Sequence, residues 1–156
     1  MATAIDVGDA DDIHPKNKEE VGKRLALAAL EMVYKKQIVG SGPMFEKMTI
    51  KGNEAILTFS HIDGGLLTQN KYGYINGFQI AGPDSTFVWA HAKIVGDKIV
   101  VTSDKVKAPL AVRYAWSDNP GVLNLYNRAG LPAIPFRTDQ WKGLTAGQEF
   151  QSGPRF

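Results

Sequence analysis

Asp11 and His14 stand three residues apart in the stretch Asp11-Asp12-Ile13-His14-Pro15, and those two side chains can do acid–base chemistry. A carboxylate on one imidazole nitrogen fixes the tautomer and stabilises the imidazolium. The other nitrogen is then free to take a hydroxyl proton and return it to a leaving group. Three residues on a tight turn are enough to fold Asp11 back onto His14. Asp12 competes for the acid role, whereas Asp9 reads as a turn residue. A surface loop has the same appearance, so spacing alone leaves a structural and a catalytic histidine both open. The missing partner is a nucleophile. Ser41, Ser60, Ser85, Ser103, Ser117 and Ser152 all lack a Gly-x-Ser-x-Gly setting, and Gly-Asp-Ser does not occur. The expectation is the His-Asp end of a Ser-His-Asp triad, in the C-terminal piece of a hydrolase.

Other residues invite chemistry less strongly. His61 and Asp63 could ligate a cation, but one pair falls far short of a metal site, and Asp63-Gly64-Gly65 reads as a turn. No metal and no cofactor is expected. His91 lies in an alternating stretch and reads as a sheet-face residue. Trp89, Tyr114 and Trp116 offer flat faces on which a pyranose could stack, although large aromatics in strands are more often core. Arg113 and Arg137 could grip a sugar carboxylate in bidentate fashion. The blander reading pairs them with an acid such as Asp118 or Asp139.

The elements that must position the Asp11–His14 loop follow from periodicity. Ala4 to Gly8 resembles the end of a strand, and Gly8 to Asp12 an acidic turn. Pro15 holds His14 in an extended conformation. A helix is expected from Pro15 or Asn17, with Glu20 completing a capping pair, and apolar positions at Val21, Leu25, Ala28, Met32 and Val33. The pattern runs to about Lys36, roughly 30 Å long at 1.5 Å per residue. After Gly40-Ser41-Gly42-Pro43 the period becomes two. Strands are expected over Met44–Lys51 and Glu54–Ser60 around Gly52-Asn53, then over Gly77–Ala81, Thr86–Val95, Lys98–Ser103 and Leu110–Trp116. Such a run suggests an antiparallel β-sandwich. The stretch beyond Trp116 reads as irregular.

The domain expectation is therefore a hydrolase segment over residues 1–38 (the loop plus one long helix), a β-sandwich over 39–144 and a flexible tail over 145–156. The fold class is mainly β, α+β overall, with the helix left over from an α/β layer. A single helix needs an apolar partner for its stripe. Without one the exposed face is a reason to expect self-association.

Composition narrows the function classes. The 156 residues carry 18 basic and 16 acidic side chains, a net charge of +2, and no basic stripe with interleaved aromatics, so nucleic acid is not expected as a partner. No apolar run approaches the roughly 20 residues that span a bilayer, and no membrane partner is expected. The absence of cysteine excludes disulfides and thiolate metal sites and leaves the compartment open.

The run from Asp11 to Lys18 with Val21-Gly22-Lys23-Arg24-Leu25-Ala26 resembles the end of the catalytic domain of sialate O-acetylesterases, within the SGNH/GDSL hydrolase superfamily. The likeness continues through Ser41-Gly42-Pro43, Arg113-Tyr114-Ala115-Trp116, Asn124-Leu125-Tyr126-Asn127 and Phe136-Arg137-Thr138-Asp139. Asp-x-x-His is weak by itself, but these runs in this order are specific. The resemblance implies a Ser-His-Asp carbohydrate esterase that removes O-acetyl groups from sialic acid or another acetylated glycan. In it Asp11 orients and His14 is general base, then general acid. The family's nucleophile and oxyanion donors lie ahead of this segment and are absent here, so the chain alone should be inactive. Its implied partner is that N-terminal hydrolase portion, and a periplasmic or secreted parent is compatible with it.

Two further readings stay open. A freestanding β-sandwich could bind carbohydrate or another partner, with Asp11 and His14 as remnants. Alternatively the chain could supply His14 to a separate subunit that bears the serine.

Overall fold

The structure is a computed structural model, and it describes residues 2–12, 14, 16–143 and 146–147. The proposed tail over 145–156 lies outside the described residues apart from 146 and 147.

Helix α1 spans Lys18–Met32. Asn17 caps it, its side chain accepting from the Glu20 N–H at 3.2 Å, which removes one of the orphan donors of the first turn. The helix is shorter than its pattern. Lys35 takes a left-handed φ of 54°, and the N–H groups of Tyr34 and Lys36 turn back to the carbonyls of Ala29 and Leu30 at 3.2 and 3.0 Å. This is how a glycine usually closes a helix; with a lysine there, the sequence carries no stop signal. The expected strand end at Ala4–Gly8 is instead a turn, held by a bond from the Val7 N–H to the Ala4 carbonyl at 3.2 Å.

Ten strands follow among the described residues: β1 Met44–Lys51, β2 Glu54–Ser60, β3 Leu66–Thr68, β4 Phe78–Ala81, β5 Phe87–Trp89, β6 His91–Val95, β7 Lys98–Thr102, β8 Ala111–Tyr114, β9 Leu125–Asn127 and β10 Phe136–Arg137. They form antiparallel sheets in the orders β1-β2-β7-β6 and β10-β8-β4-β5, with β3 paired to β9 beside them. The first hairpin turns where expected, with Gly52 at φ 61°, a value that glycine adopts without steric cost. The stretch Thr86–Val95, expected as one strand, bends at Ala90 and passes from one sheet to the other. The Ala90 N–H still bonds the Phe78 carbonyl at 3.1 Å, whereas His91 already pairs with Thr102.

One apolar cluster lies between the two four-stranded sheets. Ala55, Leu57 and Phe59 of β2 and Ile99 and Val101 of β7 meet Phe78 and Ile80 of β4 and Val112 and Tyr114 of β8. Fully burying one such side chain contributes about 1.5–3 kcal/mol. Phe136 of β10 ties the layers together: its ring stacks on Phe45 at 4.6 Å and meets Phe59 and Phe78 edge-on at 5.8 and 6.2 Å.

The segment Gly40-Ser41-Gly42-Pro43 joins helix to sheets tightly. A Cβ on Gly42 would sit 1.9 Å from the Pro132 carbonyl oxygen, and one on Gly40 2.8 Å from that of Leu27. Fully buried Asn127 donates to the carbonyls of Ser41 and His61 at 3.1 and 3.0 Å and accepts from the Leu131 N–H at 3.0 Å. Gly42→Ala is therefore expected to destabilise the fold by about 1–3 kcal/mol, the usual range for overpacking. A urea titration checks this; an unchanged midpoint would show that the joint can give.

Candidate functional site

The loop at His14 is set by its neighbours. The Asp9 carboxylate accepts from the Asp11 N–H at 3.1 Å, and the Asp12 carboxylate accepts from the His14 N–H at 2.8 Å. These are local side-chain turns of the sort Asp forms readily. Nδ1 of His14 lies 3.3 Å from the same Asp12 oxygen. The loop thus brings His14 to Asp12; Asp11 makes no hydrogen bond to the ring. Nε2 makes no hydrogen bond among the described residues. The imidazole is 78% exposed, so its free edge is open to whatever reaches it. A carboxylate on Nδ1 leaves Nε2 as the basic nitrogen, the tautomer that general-base chemistry at a serine requires.

A buried polar knot fixes the loop's surroundings to the sheets. Arg24 of α1 forms a bidentate pair with Asp6, the Nη2–Oδ2 distance being 2.9 Å, and also donates to the Thr3 carbonyl at 3.0 Å. The Tyr126 hydroxyl of β9 donates to Asp6 at 2.9 Å. Burial works to raise the Asp6 carboxyl's pKa, but the bonds from Arg24 and Tyr126 outweigh it and hold it below the usual carboxylate value of 3.8. Burial, then the bond to Asp6, pushes the Tyr126 phenol up to about 12. Helical periodicity puts Arg24 off the apolar stripe; the structure buries it. The sign that could have found it is the combination of an acid at Asp6 and a phenol at Tyr126, and they are far apart in sequence.

Most of the apolar stripe, beside that buried face, is exposed among the described residues. Leu25, Met32 and Val33, three of the expected stripe, are exposed, as are Leu30 and Tyr34. Only Ala28 of the stripe is buried.

The remaining candidates separate cleanly. Arg113 holds Asp139 through two bonds of 2.8 Å and lies over the Phe87 ring at 3.9 Å, so it is structural. That bond, opposed by burial, keeps Asp139 below its usual carboxylate value. Arg137 lies 4.0 Å from Asp139 and 5.4 Å over the Trp116 ring. Tyr114 is core, whereas Trp89 and Trp116 are exposed. His91 is an exposed strand residue. His61 and Asp63 sit at left-handed φ values of 54° and 33° in a turn. Among the described residues no group of three or more His, Cys, Asp or Glu could hold a metal ion.

No family model matches the chain. A sialate O-acetylesterase from Homo sapiens is 30% identical over 92% of this chain and 30% of its own length. The one from Pongo abelii is 29% identical over 87% of this chain and 28% of its own. A solved carbohydrate acetylesterase from Xanthomonas citri superposes with a TM-score of 0.85 and 48% identity, covering 90% of this chain and 32% of that one. The chain therefore spans less than a third of each of these proteins.

Proposed function

We propose that this chain, a partial sialate O-acetylesterase-like domain, is the acid–base end of a serine esterase acting on O-acetylated sialic acid or a related acetylated sugar. Its part in the reaction is His14, which takes the nucleophile's proton during attack on the acetyl carbonyl and gives it to the departing sugar hydroxyl. Asp11, at the position that the Asp-x-x-His pattern assigns, orients the imidazole. The serine and the oxyanion donors belong to an N-terminal hydrolase portion that packs on the exposed Leu25/Met32/Val33 face of α1. Residues 1–38 finish that domain, and the β-sandwich over 39–144 stands behind it.

The observation that carries the role of His14, though not the choice of Asp11, is an open imidazole edge with the Asp12 carboxylate on the opposite nitrogen, in a chain related over nine-tenths of its length to acetylesterases. The bond from Nδ1 to Asp12 favours a second assignment, in which Asp12 and not Asp11 is the orienting acid.

Hydrolysis of p-nitrophenyl acetate tests the proposal. The 156-residue chain is expected to show none above a blank, and the chain extended by its upstream coding sequence is expected to turn the ester over. Turnover by the short chain would mean that the nucleophile lies within it. Inactivity of both would leave a binding module.

A further inference from the structure

The outer face of the β10-β8-β4-β5 sheet carries, beside the structural Arg113–Asp139 pair, groups that neither the core nor the Asp11–His14 loop uses. The cross-strand register sets Trp89, Gln79, Arg113 and Arg137 in one row, since Trp89 pairs with Gln79, Gln79 with Arg113, and Arg113 with Arg137. Side chains in such a row share a face, and the alternate positions Ile80, Val112 and Phe136 are core. At one end of the row Trp89 is 67% exposed; beyond the other, Trp116, 46% exposed, lies under the Arg137 guanidinium. Trp89, Gln79, Trp116 and Ser117 line one crevice, too narrow to admit a water molecule, so the indoles offer their outward faces. On its other side Trp89 borders an open cleft of about 400 Å³ that also presents Gln79, His91, Asp104 and Lys105. That volume falls in the roughly 300–1,000 Å³ range of small-molecule sites.

We propose that this face binds a pyranose oligosaccharide, one ring stacking on Trp89 and another on Trp116, with Gln79, Asp104, Lys105 and Arg137 bonding the hydroxyls. The chemistry of the two surfaces selects the ligand. An indole presents a negative π face, and one side of a pyranose presents a plane of slightly positive C–H groups. The groups around the indoles are an amide, a carboxylate, an ammonium and a guanidinium, donors and acceptors mixed in the way a polyhydroxylated chain requires. Two exposed indoles, one of them bordering the cleft, give a track and not a single slot. The face therefore grips several sugar units, and its use does not depend on an ester being present.

Unacetylated cellohexaose and 3′-sialyllactose are the probes, because neither offers an ester to cleave and the result stands whether or not the esterase reading holds. Each is titrated to about 10 mM, enough to register a millimolar site, into the 156-residue chain while indole fluorescence is followed. A saturable change with either sugar is expected, with affinity falling about tenfold in Trp89→Ala and in Trp116→Ala. Circular dichroism shows that the variants are folded, and Trp141→Phe, which removes the third indole, is expected to leave affinity unchanged. No saturable change with either sugar, or affinity indifferent to both alanine substitutions, overturns the proposal. So does a sugar-insensitive dimer, seen by sedimentation, that Trp89→Ala dissociates, because the face would then be an interface between copies.

Discussion

Replacing His14 by alanine in the upstream-extended protein is expected to lower kcat for p-nitrophenyl acetate by about 10,000-fold or more, with KM little changed. The size follows from the role. Without a base, attack by a serine hydroxyl loses the proton transfer that accompanies it, and the turnover that remains comes from oxyanion donors and binding alone. A structural histidine that is 78% exposed would cost almost nothing on removal, so the two readings differ by orders of magnitude in one assay. The same assay separates the acids. Asp11→Asn and Asp12→Asn both keep side-chain volume, and whichever carboxylate orients the imidazole should cost roughly 10,000-fold when made neutral, as an amide there favours the wrong tautomer. The other should cost at most a few-fold. If Asp12→Asn is the severe one, the 3.3 Å contact to Nδ1 is the functional pair. If Asp11→Asn is, the loop of the active protein must differ from this one, with Asp11 in place of Asp12 on Nδ1. If neither is, His14 is not part of a triad.

The sheets were legible because their signal is local. Glu54–Ser60 alternates cleanly after Gly52-Asn53, Met44–Lys51 alternates only on the far side of a bulge between Phe45 and Lys47, and the structure places both strands at the expected bounds. Where the signal failed, alternation persisted through a change of partner. Val88, Ala90 and Ala92 all contact or belong to the core on either side of the bend, so nothing in the period marks the switch of sheets. Strands β3, β9 and β10 are two or three residues long, too short to show a period at all. Phe136 holds the layers together from the shortest of them.

Residue types and spacing single out the Asp11–His14 loop as a candidate; they do not say which acid meets the imidazole, and in the structure it is Asp12. That depends on how the turns at Asp9 and Asp12 close, a matter of one bond. The helix misled in a more instructive way. Its apolar stripe predicts burial of Leu25, Met32 and Val33, yet the face packed here centres on Arg24 and Ala28. Periodicity marks which positions are apolar, not what covers them, and Leu25, Met32 and Val33 stay exposed among the described residues.

Breaking the Asp6–Arg24 pair is the stability change with the largest expected effect. Asp6→Ala leaves a guanidinium buried without its counter-ion, a situation that typically costs about 3–5 kcal/mol. The same substitution orphans the Tyr126 hydroxyl, whose acceptor is Asp6. Because the pair bridges α1, the N-terminal turn and β9, its loss should free the helix from the sheets while the Phe136-centred core persists. Urea unfolding followed by far-ultraviolet circular dichroism and by tryptophan fluorescence should then give two transitions where the unaltered chain gives one. The control is apolar: Asp6→Leu with Arg24→Met and Tyr126→Phe removes all three polar partners and should recover most of the loss, since burying matched apolar groups is close to neutral against a buried ion pair. Acid supplies an independent check. The folded Asp6 carboxyl lies below 3.8, so the unfolded chain binds the proton more readily. The pair's stabilisation is then fully present above the unfolded value and drains away as pH falls through the folded one. Asp139 adds to the loss in the same window. The unaltered chain should lose stability below about pH 4, and the triple variant should lose less; equal acid sensitivity would place the titrating group elsewhere.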